Sequence, residues 1–320
     1  MNYDLIIIGS GAAGLSAALY AGRYRMKTLV VGDQFGGYTS IAGPIENYPG
    51  FMKIDGFDLM LNMKAQVEAL GNEVKDERVV DMKKEESGCF RVTTASGKEY
   101  LTNTLIIATG TEHRRLGLPN EKELTAKGVH YCVTCDGPLY GGKTIAVVGG
   151  GDSSIKGVNL AAEYAAKIYL IVRGKQISAE PINYEHMKKL GDKIEVLYET
   201  QVTEIVGPGK FEKVVLSKPY NGSTDLTVDG LFIEVGLLPR SDLITMLGIE
   251  LDPKGYAKAD VMMRTNVPGA FVAGDIMDLF EGFKQDITAA AMGAVAATSA
   301  YEYYKTHGDL CSVHAQVVRE

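Results

Sequence analysis

Tyr3-Asp4-Leu5-Ile6-Ile7-Ile8-Gly9-Ser10-Gly11-Ala12-Ala13-Gly14 is the stretch on which the fold turns. Residues 3–8 form an almost unbroken aliphatic run, the pattern of a strand buried on both faces. A glycine turn follows directly, then a helical stretch over 15–25 and a second apolar run over 28–31. In this strand–turn–helix context, glycines let the backbone approach a pyrophosphate, and the helix start offers it unpaired N–H groups. A glycine turn alone is equally an ordinary tight turn. The βαβ context instead indicates a dinucleotide site at Gly9, Gly11, Ala12, Ala13 and Gly14. The carboxylate expected to hold the adenosine ribose is displaced. The nearest is Asp33, which reads either as that ligand or as a solvated turn residue.

The pattern then recurs. Residues 144–148 read as a strand, Gly149-Gly150-Gly151-Asp152-Ser153-Ser154 as a second glycine turn, 157–166 as a helix and 167–172 as the next strand. Such repetition points to two nucleotide sites, or to one working site and one relic. Between the repeats, residues 70–104 read as a β-rich insertion with strands over 72–80, 89–95 and 99–101. Residues 104–110 form another buried strand, delivering Ala108-Thr109-Gly110 to the carboxyl edge of a sheet. Near the end, an apolar strand over 267–273 closes on Gly274-Asp275, where an aspartate suits a ribityl hydroxyl and the next helix would aim its start at a flavin. The first domain thus resumes after the second. The expected architecture is α/β: two Rossmann-like, three-layer ββα dinucleotide-binding domains, the second inserted in the first. The expected boundaries are 1–112, 113–236 and 237–320.

Composition narrows the function classes. The 320 residues are 46% hydrophobic and 23% charged, with a net charge of −7, which argues against a nucleic acid or an anionic membrane as partner. The apolar start at 5–8 is too short for a signal peptide or a membrane span. The alanine-rich stretch over 287–300 is broken by Thr288, Gly293, Thr298 and Ser299 and reads as a buried core helix. Four cysteines do not make a secreted disulfide scaffold, and a cytoplasmic protein is expected.

Two of those cysteines carry chemistry. Cys132-Val133-Thr134-Cys135-Asp136-Gly137 joins two thiols across two residues, close enough to form a disulfide. In a reducing compartment such a pair is catalytic or metal-binding. A zinc site needs about four ligands, and no second ligand pair is present, so a redox dithiol is expected and no metal. Asp136 is either a proton donor to a leaving thiolate or a helix cap. His130 is read as structural, and Cys89 and Cys311 as isolated thiols.

With these residues in hand, the chain resembles the low-molecular-weight thioredoxin reductases over essentially its whole length. The marks are the first glycine turn, Glu46-Asn47-Tyr48-Pro49-Gly50, Ala108-Thr109-Gly110, residues 132–137 and Gly274-Asp275. The resemblance implies an FAD domain built from both chain ends, an inserted domain carrying the dithiol, and a homodimer. It adds Gly36, Gly37, Tyr38, Asn47, Val80, Lys284 and Gln285 to the flavin site. It implies that Cys135 faces the flavin, that Cys132 attacks the disulfide of thioredoxin, and that Asp136 is the acid. A flavin-facing dithiol cannot also meet a protein substrate, so the inserted domain is expected to swing about hinges near 111–114 and 236–241.

Three departures concern the electron donor. The His-Arg-Arg-x-x-x-Arg cluster that holds a 2′-phosphate in nicotinamide-using relatives is here Val172-Arg173-Gly174-Lys175-Gln176-Ile177-Ser178. Arg173 remains, and Lys175 lacks the bidentate fork of an arginine. The acidic pair after the second glycine turn is replaced by Lys156-Gly157, and a flavin-side glutamine by Tyr38. A remnant nicotinamide site at Gly149, Gly151, Asp152, Ser153, Arg173 and Lys175 is expected. The donor stays open among NADPH, NADH, ferredoxin and a deazaflavin, with the lost charges favouring a non-nicotinamide donor. A dithiol oxidase and a non-catalytic flavin redox sensor are the competing functions.

Overall fold

The structure is a computed structural model in which residues 2–311 are described. They form two compact units, residues 2–112 with 239–311, and His113–Leu238. Both are α/β, and each is built on a parallel sheet of the dinucleotide-binding kind.

In the first unit, strands Glu73–Asp76, Thr28–Gly32, Asn2–Ile8 and Glu99–Ile107 lie side by side in parallel. Leu5, Ile6 and Ile7 are fully buried, which is why that strand carries an apolar run rather than an alternating pattern. Residues 99–101 and 104–107, expected as separate strands, are one nine-residue strand. Its first half pairs antiparallel with Phe90–Thr94, and its second half pairs parallel with Ala270–Val272. One strand thereby joins the antiparallel layer to the nucleotide-binding sheet. The single strand expected over 72–80 is instead two, Glu73–Asp76 and Val79–Lys84, which pair with different neighbours.

The helix after the first glycine turn, Ala12–Arg23, begins inside the turn rather than at residue 15. It packs on Asp286–His307 through Ala13, Ala17, Gly293, Ala296 and other small residues. A Cβ at Gly293 would stand 2.0 Å from the Ala13 carbonyl oxygen, so only glycine permits this approach. Ser16 Oγ donates to the Ala290 carbonyl across the contact at 2.7 Å. The alanine-rich stretch is therefore a core helix. No helix among the described residues is long and apolar enough to cross a membrane.

One expectation is overturned outright. Cys89 and Cys311 are not isolated thiols: they form a disulfide, with Cα atoms 5.0 Å apart. Cys311 follows the long C-terminal helix, and its N–H donates to Asn103 Oδ1, which sets the sulfur facing Cys89 at the start of the antiparallel layer.

In the second unit, Val129–His130, Gly230–Ile233, Thr144–Val148, Lys167–Val172 and Ile194–Tyr198 form a parallel sheet. An antiparallel trio, Val202–Val206, Lys213–Tyr220 and Ser223–Thr227, accompanies it. The helix expected over 157–166 is Asp152–Ala161, again starting within its glycine turn.

Candidate active site: a dinucleotide cradle and a dithiol turn

The first unit holds a cavity of about 530 Å³ at the carboxyl edge of its sheet. The glycine turn forms its floor. Gly9 has φ +111°, and a Cβ there would meet the Ala108 carbonyl oxygen at 2.2 Å. Gly14 must likewise lack a side chain, because a Cβ would lie 1.9 Å from the Gly9 oxygen. Gly11 differs: a Cβ there would meet no protein atom closer than 3.8 Å, so its bare side leaves room for a ligand. The helix Ala12–Arg23 starts at this point with no side-chain cap, and its first N–H groups suit a pyrophosphate. Ala12, Ala13, Gly36, Gly37, Tyr38 and Asp33 line the same cavity. Val80, Ala108, Thr109, Gly110 and Gly274 complete the expected set.

Asp275 tests whether a flavin nucleotide fits. Its Oδ1 is buried with no hydrogen-bond partner among the described residues. Burial pushes its pKa up, Lys284 opposes that shift, and Asp286 adds to it. A buried unpaired carboxylate oxygen is costly, and a ribityl hydroxyl at the cavity wall is the donor that relieves it. The donor-poor aspartate, the uncapped helix and the open Gly11 together fit FAD.

Three expected site residues are placed differently. Asn47 Nδ2 donates to Gln285 Oε1 at 3.0 Å, and Gln285 caps the helix Asp286–His307. Lys284 Nζ donates to the carbonyls of Asp275 and Met277 and lies 4.2 Å from the centre of the Tyr256 ring. Lys284 thus braces the Gly274-Asp275 turn, Asn47 and Gln285 bond to each other, and none of the three is among the residues that line the cavity. Asp33 lines it and faces Arg78 Nε at 4.0 Å. Among the lining residues that escaped the sequence reading are Thr39 and Asp286, joined by a 2.5 Å hydrogen bond. They lie 247 positions apart, and nothing local marks either one.

The dithiol lies in the second unit. Cys132 and Cys135 are disulfide-bonded across the short helix Val133–Asp136, with Cα atoms 5.3 Å apart. Cys132 is the N-cap, and its Sγ accepts the Cys135 N–H at 3.1 Å. Cys135 is exposed and Cys132 half-buried. On the far side of the turn, Asp136 Oδ2 lies 2.9 Å from His130 Nδ1, and His130 Nε2 lies 2.8 Å from Tyr140 Oη. Burial, then the Asp136 and Asp229 carboxylates, push the Tyr140 pKa up.

The second glycine turn abuts the dithiol. Gly157, standing where an acidic residue was expected, leaves space that Val133 and Glu234 fill: its Cβ would be 3.0 Å from Val133 Cγ2 and 3.9 Å from Glu234 Oε1. Glu234 accepts the Ser153 hydroxyl at 2.5 Å and the Val133 backbone N–H, and burial raises its pKa. Asp152 pairs with Lys156 at 2.8 Å and accepts from Glu180 N and Asn183 Nδ2. Gly149 and Gly151 hold the turn, with a Cβ at Gly149 excluded by the Glu234 oxygen at 2.2 Å. Arg173 and Lys175 are exposed.

The chain is similar to known proteins over most of its length. Residues 3–297 match the family described as pyridine nucleotide-disulphide oxidoreductase. A curated thioredoxin reductase of Treponema pallidum is 38% identical over 308 residues, covering 95% of this chain and 98% of that protein. The crystal structure of Lactococcus lactis thioredoxin reductase is similar at a TM-score of 0.88 and 36% identity, covering 94% of this chain and 98% of that one. A ferredoxin-flavin thioredoxin reductase from Clostridium acetobutylicum is similar at a TM-score of 0.51 and 29% identity, covering 95% and 99%.

Proposed function

Because the chain belongs to the pyridine nucleotide-disulphide oxidoreductase family, and is a flavin-dependent disulfide oxidoreductase, we propose that it is a thioredoxin reductase working through Cys132 and Cys135. FAD supplies the two-electron chemistry when bound, and the protein supplies placement. In this reading Cys135 receives the electrons, the Cys132–Cys135 bond opens, and the Cys132 thiolate attacks the thioredoxin disulfide. Cys135 then displaces the substrate thiolate from Cys132, and Asp136 provides a proton to the leaving sulfur. The observation that carries the reading is the dithiol turn itself. Cys132 Sγ accepts a backbone N–H that favours its thiolate, and a carboxylate follows the second cysteine directly. Movement of the inserted unit about 111–114 and 236–241 would alternate the dithiol between flavin and substrate. A homodimer and a cytoplasmic setting accompany the same reading.

For the donor, the exposed Arg173 and Lys175 are the cations on the loop, while Asp152, Glu180 and Glu234, with Lys156 as their cation, gather at the second glycine turn. Carboxylates there oppose a pyrophosphate, and the two missing arginine charges oppose a 2′-phosphate. A ferredoxin-type or other non-nicotinamide donor is therefore favoured over NADPH. Each charge-assisted hydrogen bond contributes about 1.5–3 kcal/mol, so losing two weakens NADPH binding about a hundredfold or more. Anaerobic stopped-flow reduction at matched NADPH, NADH and reduced ferredoxin, followed by flavin bleaching, tests this. Slow bleaching by both nicotinamides and fast bleaching by ferredoxin are expected. Fast bleaching at micromolar NADPH with strong discrimination against NADH would refute it.

A further inference from the structure

Asp136 has a second face that disulfide exchange alone does not use. Its Oδ2 meets His130 Nδ1 at 2.9 Å, and the other ring nitrogen of His130 meets Tyr140 Oη at 2.8 Å. His130 is 5% exposed and stacks on Phe232 with ring centroids 5.1 Å apart. The sequence marked this histidine as structural, yet a packing role does not require both nitrogens to be bonded in series. A neutral imidazole has one N–H and one lone pair. With Nδ1–H donating to Asp136 Oδ2, Nε2 is an acceptor and Tyr140 O–H is its donor. Tyr140 borders a second cavity with Lys143 and Asp229, and Lys143 Nζ lies 5.2 Å from its ring centre.

We propose that His130 and Tyr140 are positioning residues forming a proton relay between Asp136 and that cavity. The proposal rests on the reading of Asp136 as the acid. When the S–S bond of the substrate breaks, the Asp136 O–H bond breaks and its proton goes to the leaving sulfur. The Nδ1 proton passes to Oδ2, Nε2 takes the Tyr140 proton, Tyr140 takes one from a cavity water, and the hydroxide left there is neutralised by a proton from bulk solvent. The ring is left as the other tautomer. Deprotonation of a cysteine thiol by Asp136 in the other half of the cycle drives the same hops backward and restores it. The groups facing the relay are Asp136 on the dithiol turn, Tyr140 on the next turn, and Asp229, Lys127, Lys143 and Lys210 around the cavity, which His130 also lines. The neighbouring strand contributes only the uncharged Phe232 ring. Burial raises the Tyr140 pKa and so keeps the phenol protonated for its part.

The test uses two disulfides that differ in leaving group. Alkyl thiolates, as in thioredoxin or bis(2-hydroxyethyl) disulfide, need a proton to leave readily, whereas the thiolate of dithiobis(nitrobenzoate) does not. Dithionite-reduced holoenzyme is mixed with each, and flavin reoxidation is followed from pH 6 to 9. His130→Asn keeps a donor where Nδ1 stood but cannot pass a proton on, and Tyr140→Phe keeps the packing. Both variants, like Asp136→Asn, are expected to react about tenfold slower with the alkyl disulfides. Both should stay within about twofold of wild type with the nitrobenzoate disulfide. If only Asp136→Asn is slow, the aspartate acts alone and the relay is overturned. If His130→Asn and Tyr140→Phe slow both disulfides equally, they are structural and the relay is again overturned. If Asp136→Asn is also unaffected, the acid reading itself has failed. Reduction of bis(2-hydroxyethyl) disulfide without reduction of thioredoxin would refute the substrate and leave the relay measurable.

Discussion

Replacing Cys311 by alanine should destabilise the first unit strongly while leaving its chemistry intact. The Cys89–Cys311 bond closes a loop with a sequence separation of 222 residues, for which the chain-entropy relation gives about 5 kcal/mol at 25 °C. Each kcal/mol shifts the midpoint of a domain this size by about 2–4 °C, so a fall of about 10 °C or more is expected. Cys89 and Cys311 are 0% and 2% exposed, which keeps mild reductants away from the bond. Thermal denaturation of oxidised wild type and Cys311→Ala, followed by flavin fluorescence and circular dichroism, measures the shift. Thiol counting in denaturant gives the parallel readout: no free thiol in the oxidised wild type, and one, Cys89, in the variant. A midpoint within about 2 °C of wild type would refute the entropic reasoning. Two free thiols in oxidised wild type would remove the disulfide altogether. Disulfide exchange with the reduced holoenzyme should be unchanged, since neither cysteine lines the cradle.

Asp275 yields a prediction about flavin and pH. Asp275→Ala should release most of the FAD on gel filtration, because it removes the one carboxylate oxygen among the described residues that is buried without a partner. Its folded pKa lies above the ordinary 3.8, so in the apoprotein the folded state binds more protons than the unfolded one across that window. Apoprotein stability should therefore fall as pH rises from the ordinary carboxylate range through the raised pKa, then level off. Asp275→Asn apoprotein should lack this fall, and thermal midpoints from pH 4 to 8 for the two would show it. Parallel profiles would refute the assignment.

What was legible in the sequence is what local chemistry imposes. The two glycine turns stand out because Gly9, Gly14 and Gly149 press against backbone oxygens that no side chain could share. The dithiol is visible because its two sulfurs need only one helical turn between them. The antiparallel layer was misread at 72–80 and 99–107 because pairing partners, not residue types, decide where a strand ends. Cys89–Cys311 and Thr39–Asp286 were hidden for a related reason: each joins chain segments over two hundred positions apart, with no local mark. Lys284, Gln285 and Asn47, expected at the flavin site from the resemblance, have side chains that bond to protein atoms. The His130–Asp136 contact depends on how the strand Val129–His130 leads into the dithiol turn, a geometry that two-residue spacing does not reveal.

The central claim is that electrons leave through Cys132 after passing Cys135. Its most direct test is Cys135→Ser holoenzyme incubated anaerobically with oxidised thioredoxin in the presence of dithionite, quenched with acid and analysed by intact mass spectrometry. Without Cys135 to release the substrate, Cys132 should accumulate as a one-to-one mixed disulfide with thioredoxin, and peptide mapping should place the link at Cys132. Cys132→Ser treated in the same way should form no adduct, and neither variant should turn over. Sustained reduction of thioredoxin by either single variant, or an adduct mapped to Cys89 or Cys311, would contradict the account.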